Sequence, residues 1–201
     1  MIQGLDVSRE TLTRLETYVA LLKKWNPKIN LVSKATLNDA WSRHVLDSVQ
    51  IFEAADIRTG NWVDLGSGGG FPGMVIAILA HDRAPDLRIT LVESDQRKCT
   101  FLRTVAREVR IDVRVVSDRI EAIPPLSANV ISARALAGLP ELFTYADRHR
   151  ADECVCVFPK GRSWREEVAA AQLQWRFAHT VLPSKTDPEA VILRIEEFEH
   201  V

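Results

Sequence analysis

Cysteine is scarce in this 201-residue chain, with three in all, and methionine and tyrosine contribute two residues each. Cys99, Cys154 and Cys156 are an odd number and lack metal-ligand spacing, which excludes a disulfide framework and a thiolate metal centre. Cys154 and Cys156 lie in the apolar run Cys154–Phe158, which reads as a buried strand. Same-face neighbours along one strand are poorly placed for a disulfide, so a reduced, cytoplasmic compartment is expected. Long hydrophobic runs are missing too. The longest, such as Met74–Ala80, are far too short to cross a bilayer. Met1–Asp6 lacks the basic-then-apolar pattern of a secretory leader. There is no excess of either charge, since 26 Lys and Arg face 27 Asp and Glu for a net charge of −1. A polyanion partner would therefore need locally concentrated positive charge.

Apolar residues make up 46% of the chain and charged residues 26%, which is ordinary globular composition. The length suits one domain with a substantial core. Ser8 is a helix N-cap, and Leu12, Leu15, Val19 and Leu22 form one apolar face behind it. A second helix is expected after Asn38 or Asp39, with Trp41, Val45, Val49 and Phe52 as its stripe. From Asn61 onward strands and helices alternate. Strands are expected at Trp62–Leu65, Arg88–Glu93, Val113–Val116, Asn129–Ser132 and Cys154–Phe158. Helices are expected at about Met74–Leu79, Asp95–Val109, Pro140–Arg148 and Trp164–Trp175. Val181–Leu182 and Val191–Ile195 read as a closing antiparallel hairpin. The pattern predicts an α/β fold with a mostly parallel, doubly wound sheet. The expected organisation is a single domain over 1–201, with a helical extension at 1–58 and the sheet-bearing core at 59–201.

Charge is uneven along the chain. Four lysines (Lys23, Lys24, Lys28 and Lys34) and no acid lie between Thr17 and Asn38. From Gln96 to Arg119, seven bases face three acids, whereas from Ser184 onward two bases face five acids. Each run alone reads as a solvated helix face. Together they point to a polyanion-binding face.

The strongest local signal is Val63-Asp64-Leu65-Gly66-Ser67-Gly68-Gly69-Gly70-Phe71-Pro72-Gly73. Five of the chain's nine glycines fall in these few residues, between an expected strand and an expected helix. Glycine permits positive φ and close approach of a ligand to the backbone. Two cofactor classes fit. Gly68-x-Gly70-x-x-Gly73 satisfies the dinucleotide pattern, although Gly68 lies well past the strand end and Pro72 is expected to break the close strand-to-helix packing. Asp64-x-Gly66-x-Gly68-x-Gly70 is similar to the first motif of AdoMet-dependent methyltransferases. In that reading Asp64 faces a cationic ammonium, where a phosphate would be repelled. Glu93 ends the second strand, where a carboxylate accepts ribose hydroxyls. Both cofactors carry a ribose, so Glu93 does not separate them.

Taken together, the motifs resemble the bacterial small-subunit ribosomal RNA guanine-N7 methyltransferases, the RsmG or GidB family. The resemblance rests on Asp64–Gly73, Trp25-Asn26-x-Lys28-x-Asn30-Leu31-Val32-Ser33, Arg43-His44-x-x-Asp47-Ser48, Leu91–Ser94, Arg119–Glu121, Ser132–Ala135 and Lys160-Gly161. They occur in the family's order between Trp25 and Gly161. Gly69 stands where the family often has alanine, and Ala122 replaces a second acid.

The resemblance implies a class I AdoMet-dependent methyltransferase acting on guanine 527 N7 of 16S rRNA, in free RNA or the 30S particle. It implies that Gly66 and Phe71 contact AdoMet, that Ile120 and Glu121 flank its adenine, and that Arg134 sits near it. Asp64, Ser67, Gly68, Gly70, Glu93 and Ser94 complete the expected cofactor set. Arg134 and Lys160 are the expected catalytic residues, with Arg119, Lys160 and Lys28 on RNA. No metal and no membrane are expected, and a monomer is favoured. His44, Asp47 and Ser48 share a helix face and are expected to pack the N-terminal helices against the cofactor loop, with RNA contact as a further role. There is no nucleophile elbow, which disfavours Ser-His-Asp hydrolysis. No cysteine follows the fourth strand in a Pro-Cys context, and the aromatic-proline motif of amino-methylating enzymes is missing there. N7 needs no general base, because no proton leaves it. A nicotinamide-dependent oxidoreductase and a non-enzymatic RNA-binding protein with a vestigial pocket are the competing readings.

Overall fold

The Ser8 hydroxyl accepts the Thr11 N–H at 3.0 Å and caps α1 (Arg9–Ile29), as its side chain predicts. The description comes from a computed structural model and covers residues 6–201. The segment read as lacking a leader pattern therefore lies almost wholly outside the described residues. α1 buries Leu15, Tyr18, Val19 and Leu22. It ends at Asn30, whose left-handed φ of 49° turns the chain. Asn26 fixes that turn by accepting the Val32 N–H at 2.8 Å.

The next helical stretch is more broken than the apolar stripe predicts. A short α2 (Lys34–Leu37), capped by Ser33, precedes one π-helical turn (Trp41–Leu46) and α3 (Asp47–Ala55). Val45 and Phe52 of the expected stripe are buried.

The remaining elements alternate as expected. They are β1 (Gly60–Leu65), α4 (Gly73–Arg83), β2 (Leu87–Val92), α5 (Gln96–Val109), β3 (Arg114–Val116), β4 (Ala128–Ala133), α6 (Leu139–His149), β5 (Arg150–Lys160), α7 (Trp164–Ala171), β6 (Trp175–Pro183) and β7 (Val191–His200). Among the described residues the sheet has seven strands in the order β3-β2-β1-β4-β5-β7-β6. β1 to β5 run parallel, and β7 is antiparallel to both β5 and β6. The order reverses between β1 and β4, so their carboxyl ends open the crevice where such sheets bind ligands.

Two lengths depart from the sequence reading. α7 stops at Ala171, and Trp175 begins β6. The Trp175 ring packs 5.5 Å from Phe143 and 6.1 Å from Phe198, so tertiary burial outweighs continuation of the helix. β6 and β7 are also longer than the few apolar residues read as strands.

Both faces of the sheet are covered. Trp62, Ile89, Leu91 and Val130 join α1, α3, α4 and α5 in one apolar layer. Val63, Leu65 and Ile131 join α6, α7 and the hairpin in the other. The N-terminal helices thus belong to the same core as β1 and α4.

Candidate active site

At the end of β1 the backbone turns through three glycines with positive φ: Gly66 (66°), Gly68 (55°) and Gly70 (96°). Main-chain bonds hold the turn. Ser67 N–H donates to the Val92 carbonyl at 3.0 Å, and Gly70 N–H donates to the Ser67 carbonyl at 2.7 Å. Glu93, buried at the end of β2, accepts the Gly68 N–H and the Asp95 N–H, both at 2.8 Å. The glycines serve different purposes. A Cβ on Gly68 would face open space, its nearest neighbour being the Gly66 carbonyl oxygen at 3.8 Å. A Cβ on Gly70 would lie 2.8 Å from both Met74 Cβ and Tyr18 Oη. Gly68 leaves room for a ligand, and Gly70 leaves room for the core.

Asp64 is fully buried beneath this loop. It accepts the Ser132 hydroxyl at 2.7 Å and the Gly73 N–H at 3.2 Å. Ser132 in turn accepts the Trp62 indole N–H at 2.9 Å. Burial pushes the Asp64 carboxyl up to about 6, against the pull of the hydrogen bonds from Ser132, Ser67 and Gly73. The carboxylate ties β1, β4 and α4 together and is not on the cavity wall, so it does not face a ligand ammonium as the sequence suggested. The expected disruption at Pro72 is also absent. A Cβ on Gly73 would lie 2.7 Å from Asp64 Cβ, so strand and helix pack closely there.

Above the loop lies a cavity of about 690 Å³, within the roughly 300–1,000 Å³ range of small-molecule sites. Of the residues expected to hold the cofactor, Gly66, Ser67, Gly68, Phe71, Glu93, Ser94, Ile120, Glu121 and Arg134 line it. Gly70 and Asp64 stand behind that wall. The Ile120 carbonyl accepts the His149 Nε2–H at 2.9 Å, which fixes the segment after β3. The cavity also takes in Leu31–Ser33, Thr36, Arg43, His44, Asp47, Lys98 and Asp118, none of which belonged to the expected set. The first seven come from the two N-terminal motifs or adjoin them, so their signal was in the sequence.

Those N-terminal residues press directly on the loop. The Tyr18 hydroxyl donates to the Gly69 carbonyl at 2.6 Å. A Cβ on Gly69 would lie 3.0 Å from the Leu31 carbonyl oxygen. The His44 ring stacks on Phe71 with centroids 4.9 Å apart, and its Nε2 lies 2.9 Å from Thr36 Oγ1. Burial, helped by Arg134 and Arg43, lowers His44 to about 4, so it is neutral at pH 7. Arg134 lays its guanidinium 5.1 Å from the Phe71 ring centre and donates to the Arg43 carbonyl at 3.2 Å. Burial lowers its pKa, with Asp47 the largest opposing influence.

The expected RNA contacts separate. Arg119 is exposed at the cavity wall, 3.9 Å from Glu121. Lys28 is exposed in the last turn of α1, outside the cavity. Lys160 is 8% exposed, donates to the Ala137 carbonyl at 3.1 Å and pairs with Glu167 at 2.7 Å. It is a buried structural pair and not an open phosphate contact. It borders a second cavity of about 340 Å³, which shares Arg43, Asp47, Arg134 and Ala135 with the first. Among the described residues no cluster of His, Cys, Asp or Glu could hold a metal ion, and no helix is long and apolar enough to cross a membrane.

Residues 11–190 match the model of the family described as rRNA small subunit methyltransferase G. The chain belongs to that family. A ribosomal RNA small subunit methyltransferase G from Ruegeria sp. (strain TM1040) is 54% identical over 98% of this chain and 96% of the relative. One from Paracoccus denitrificans is 47% identical over 98% of this chain and 100% of the relative. Solved structures share the fold of this chain. A SAM-dependent methyltransferase from Aquifex aeolicus superposes with a TM-score of 0.61 at 9% identity, covering 90% of this chain and 97% of that one. An O-methyltransferase from Bacillus cereus in complex with SAH gives 0.58 at 11% identity, covering 97% and 94%.

Proposed function

We propose that this chain transfers the methyl group of AdoMet to N7 of guanine 527 in 16S rRNA, as free RNA or within the 30S particle. The carrying observation is the cradle at Gly68, where the absent side chain opens onto a cavity rimmed by Glu93. AdoMet fits that donor set. Glu93 has lone pairs beyond the two given to Gly68 and Asp95, and these accept ribose hydroxyls. Ile120 and Glu121 flank the adenine, and the carboxylates on the wall suit a cationic ligand. A dinucleotide fits less well. Its pyrophosphate needs free N–H groups at a helix N-terminus, whereas Gly73 N–H at the start of α4 is already given to the Asp64 carboxylate.

AdoMet supplies an activated methyl group on a sulfonium. N7 of guanine presents a lone pair on the major-groove edge and loses no proton on attack. The protein therefore needs to align the two at about 3 Å and exclude water. Phe71, His44 and Arg134 form a stacked wall suited to that task, and neutral His44 adds no charge beside the sulfonium. The guanine reaches the cavity flipped out of its stack or from a loop. Lys23, Lys24, Lys28 and Lys34 are exposed on and just after α1. α5, with its own basic residues, packs beside α1 through Trp25 and Phe101, 5.7 Å apart. This joint face is assigned to the RNA phosphates. The buried free thiols support a cytoplasmic setting.

The test is transfer of labelled methyl from AdoMet to 16S rRNA and 30S particles lacking the modification, followed by mass mapping. Label in N7-methylguanine at position 527 is the expected result. AdoMet binding without transfer to either substrate would favour a vestigial pocket instead.

A further inference from the structure

The second cavity, behind Arg134, is bordered by Asp47, a carboxylate whose bonding is incomplete on the cavity side. Asp47, at the start of α3, is half-buried on the wall common to both cavities. Its Oδ1 accepts the Thr186 hydroxyl. Thr186 is held by its own N–H on Ser184 Oγ at 3.2 Å and by Gln50 Nε2, which donates to its Oγ1 at 3.4 Å. Lys185 N–H donates to Gln50 Oε1 at 2.7 Å, which ties the same loop to α3. One carboxylate oxygen is thus anchored, and the other, Oδ2, has no hydrogen-bond partner among the described residues. Of the other charged groups bordering this cavity, Lys160 is bonded to Glu167, Arg43 is 3.1 Å from Asp187, and Arg134 donates to the Arg43 carbonyl.

We infer that this cavity receives the acceptor base and that Asp47 reads it as guanine, accepting the N1–H and the 2-amino group through its free oxygen. The inference rests on the guanine-N7 reading above. With N7 turned toward the methyl donor in the first cavity, the base extends past Arg134 and leads with its Watson–Crick edge. On guanine that edge carries two adjacent N–H donors. On adenine the ring nitrogen there is an acceptor, which an ionised carboxylate repels. Burial raises the Asp47 pKa above the ordinary carboxylate value, against the pull of the Thr186 hydrogen bond, Arg134 and Arg43, and Asp187 adds to the rise. Asp47 is thereby a specificity residue that touches substrate, and Thr186 and Gln50 are positioning residues that aim it.

The experiment compares wild type with Asp47→Asn on two synthetic rRNA fragments, one with guanosine and one with inosine at the target. Inosine keeps N7, O6 and N1–H but lacks the 2-amino group. Asparagine keeps an oxygen for Thr186, so the fold should be unchanged, which a melting curve checks; both substrates are compared at saturating AdoMet, with its affinity for each enzyme measured by calorimetry. Loss of one hydrogen bond to a charged acceptor lowers wild-type kcat/KM on inosine by roughly 10- to 150-fold. Intrinsic differences in N7 basicity cancel when the two enzymes are compared as ratios. The expected result is that the guanosine-to-inosine ratio collapses in Asp47→Asn, mainly through lower activity on guanosine. A ratio equal to that of wild type overturns the inference alone. Transfer to an atom other than N7, or to adenine, overturns the acceptor reading and the inference together.

Discussion

Gly68 and Gly70 are two residues apart in one loop, yet their substitution should fail in different ways. A side chain at Gly68 meets nothing closer than 3.8 Å and carries only the strain of φ 55°, about 1–2 kcal/mol for a non-glycine residue in the left-handed region. Gly68→Val should therefore fold, with its branched side chain in the space the cofactor needs. AdoMet affinity should fall at least about tenfold, equal to roughly 1.4 kcal/mol. Gly70 has φ 96°, and its Cβ would approach Met74 and Tyr18 at 2.8 Å and Leu102 at 3.0 Å. Backbone strain of about 1–3 kcal/mol and overpacking of about 1–3 kcal/mol combine to roughly 2–6 kcal/mol. That is a large share of the roughly 5–15 kcal/mol available to a domain. Gly70→Ala should lower the urea midpoint by about 1–3 M at a slope near 2 kcal/mol per M. Calorimetric titration with AdoMet and urea unfolding, run on both variants, separate the two effects. Wild-type AdoMet affinity in Gly68→Val would refute the cradle, and wild-type stability in Gly70→Ala would refute the packing argument.

Glu93→Ala should weaken AdoMet binding by roughly 1.5–3 kcal/mol for each ribose hydrogen bond removed, read by calorimetry; a change confined to RNA affinity would count against the ribose role. Replacing Lys23, Lys24, Lys28 and Lys34 together by alanine should reduce the logarithmic salt slope of RNA binding by about 0.7–0.9 for every phosphate left without its lysine, with AdoMet affinity unchanged. Lys160→Met should leave that slope alone and instead destabilise the fold by roughly 1–3 kcal/mol, because Glu167 loses its cationic partner and keeps only the Leu139 N–H while remaining partly solvated. Arg134→Ala should slow single-turnover methyl transfer more than it weakens RNA binding. His44 should make the fold acid-sensitive. The unfolded chain takes up a proton below 6.5 that folded His44 refuses until about 4, so stability is withdrawn as pH falls through that window. Asp64 acts oppositely, keeping its proton in the fold up to about 6 against 3.8 when unfolded. In denaturant titrations, His44→Gln should lose less stability than wild type between pH 6.5 and pH 4, by up to roughly 3 kcal/mol.

The order of strands and helices was legible because alternating apolar runs and glycine breaks are local signals. The cofactor loop was legible for the same reason, since five glycines between a strand and a helix have few other uses. The division of labour inside the loop was not. Gly68 and Gly70 are identical in sequence, and only the packing of Tyr18, Met74 and Leu102 distinguishes them. Asp64 and Lys160 misled for a related reason. A charged residue beside a motif reads as a ligand contact, whereas both are buried and bonded within the fold, Asp64 to Ser132 on β4 and Lys160 to Glu167 on α7. β6 was under-read because the helical pattern was extended to Trp175 and only the apolar pair Val181–Leu182 read as strand, the residues between being mostly polar. The π-helical turn at Trp41–Leu46 leaves no mark in a 3.6-residue stripe.

The cofactor loop is gripped from three sides, and each grip comes from a different part of the chain. Asp64 and Ser132 hold it from below, through the two strands at the switch of the sheet. Glu93 holds Gly68 from the neighbouring strand. Tyr18, Leu31 and His44 hold Gly69 and Phe71 from the N-terminal helices. A glycine-rich turn has high conformational entropy, and ordering it only on ligand binding would weaken affinity. The helices before β1 supply much of that order in advance, which gives them a structural reason to share one core with α4. The same helices present Lys23, Lys24 and Lys28 to solvent. Cofactor wall and proposed RNA face are therefore two sides of one rigid element. Arg43 and Asp47 extend that element to the acceptor cavity, where the loop after β6 locks them through Asp187 and Thr186. A methyl donor held on one side of Arg134 and a base received on the other are then positioned by the same short stretch of backbone, Arg43 to Asp47. Alignment of two substrates needs a common reference of this kind when no acid–base step contributes to the rate.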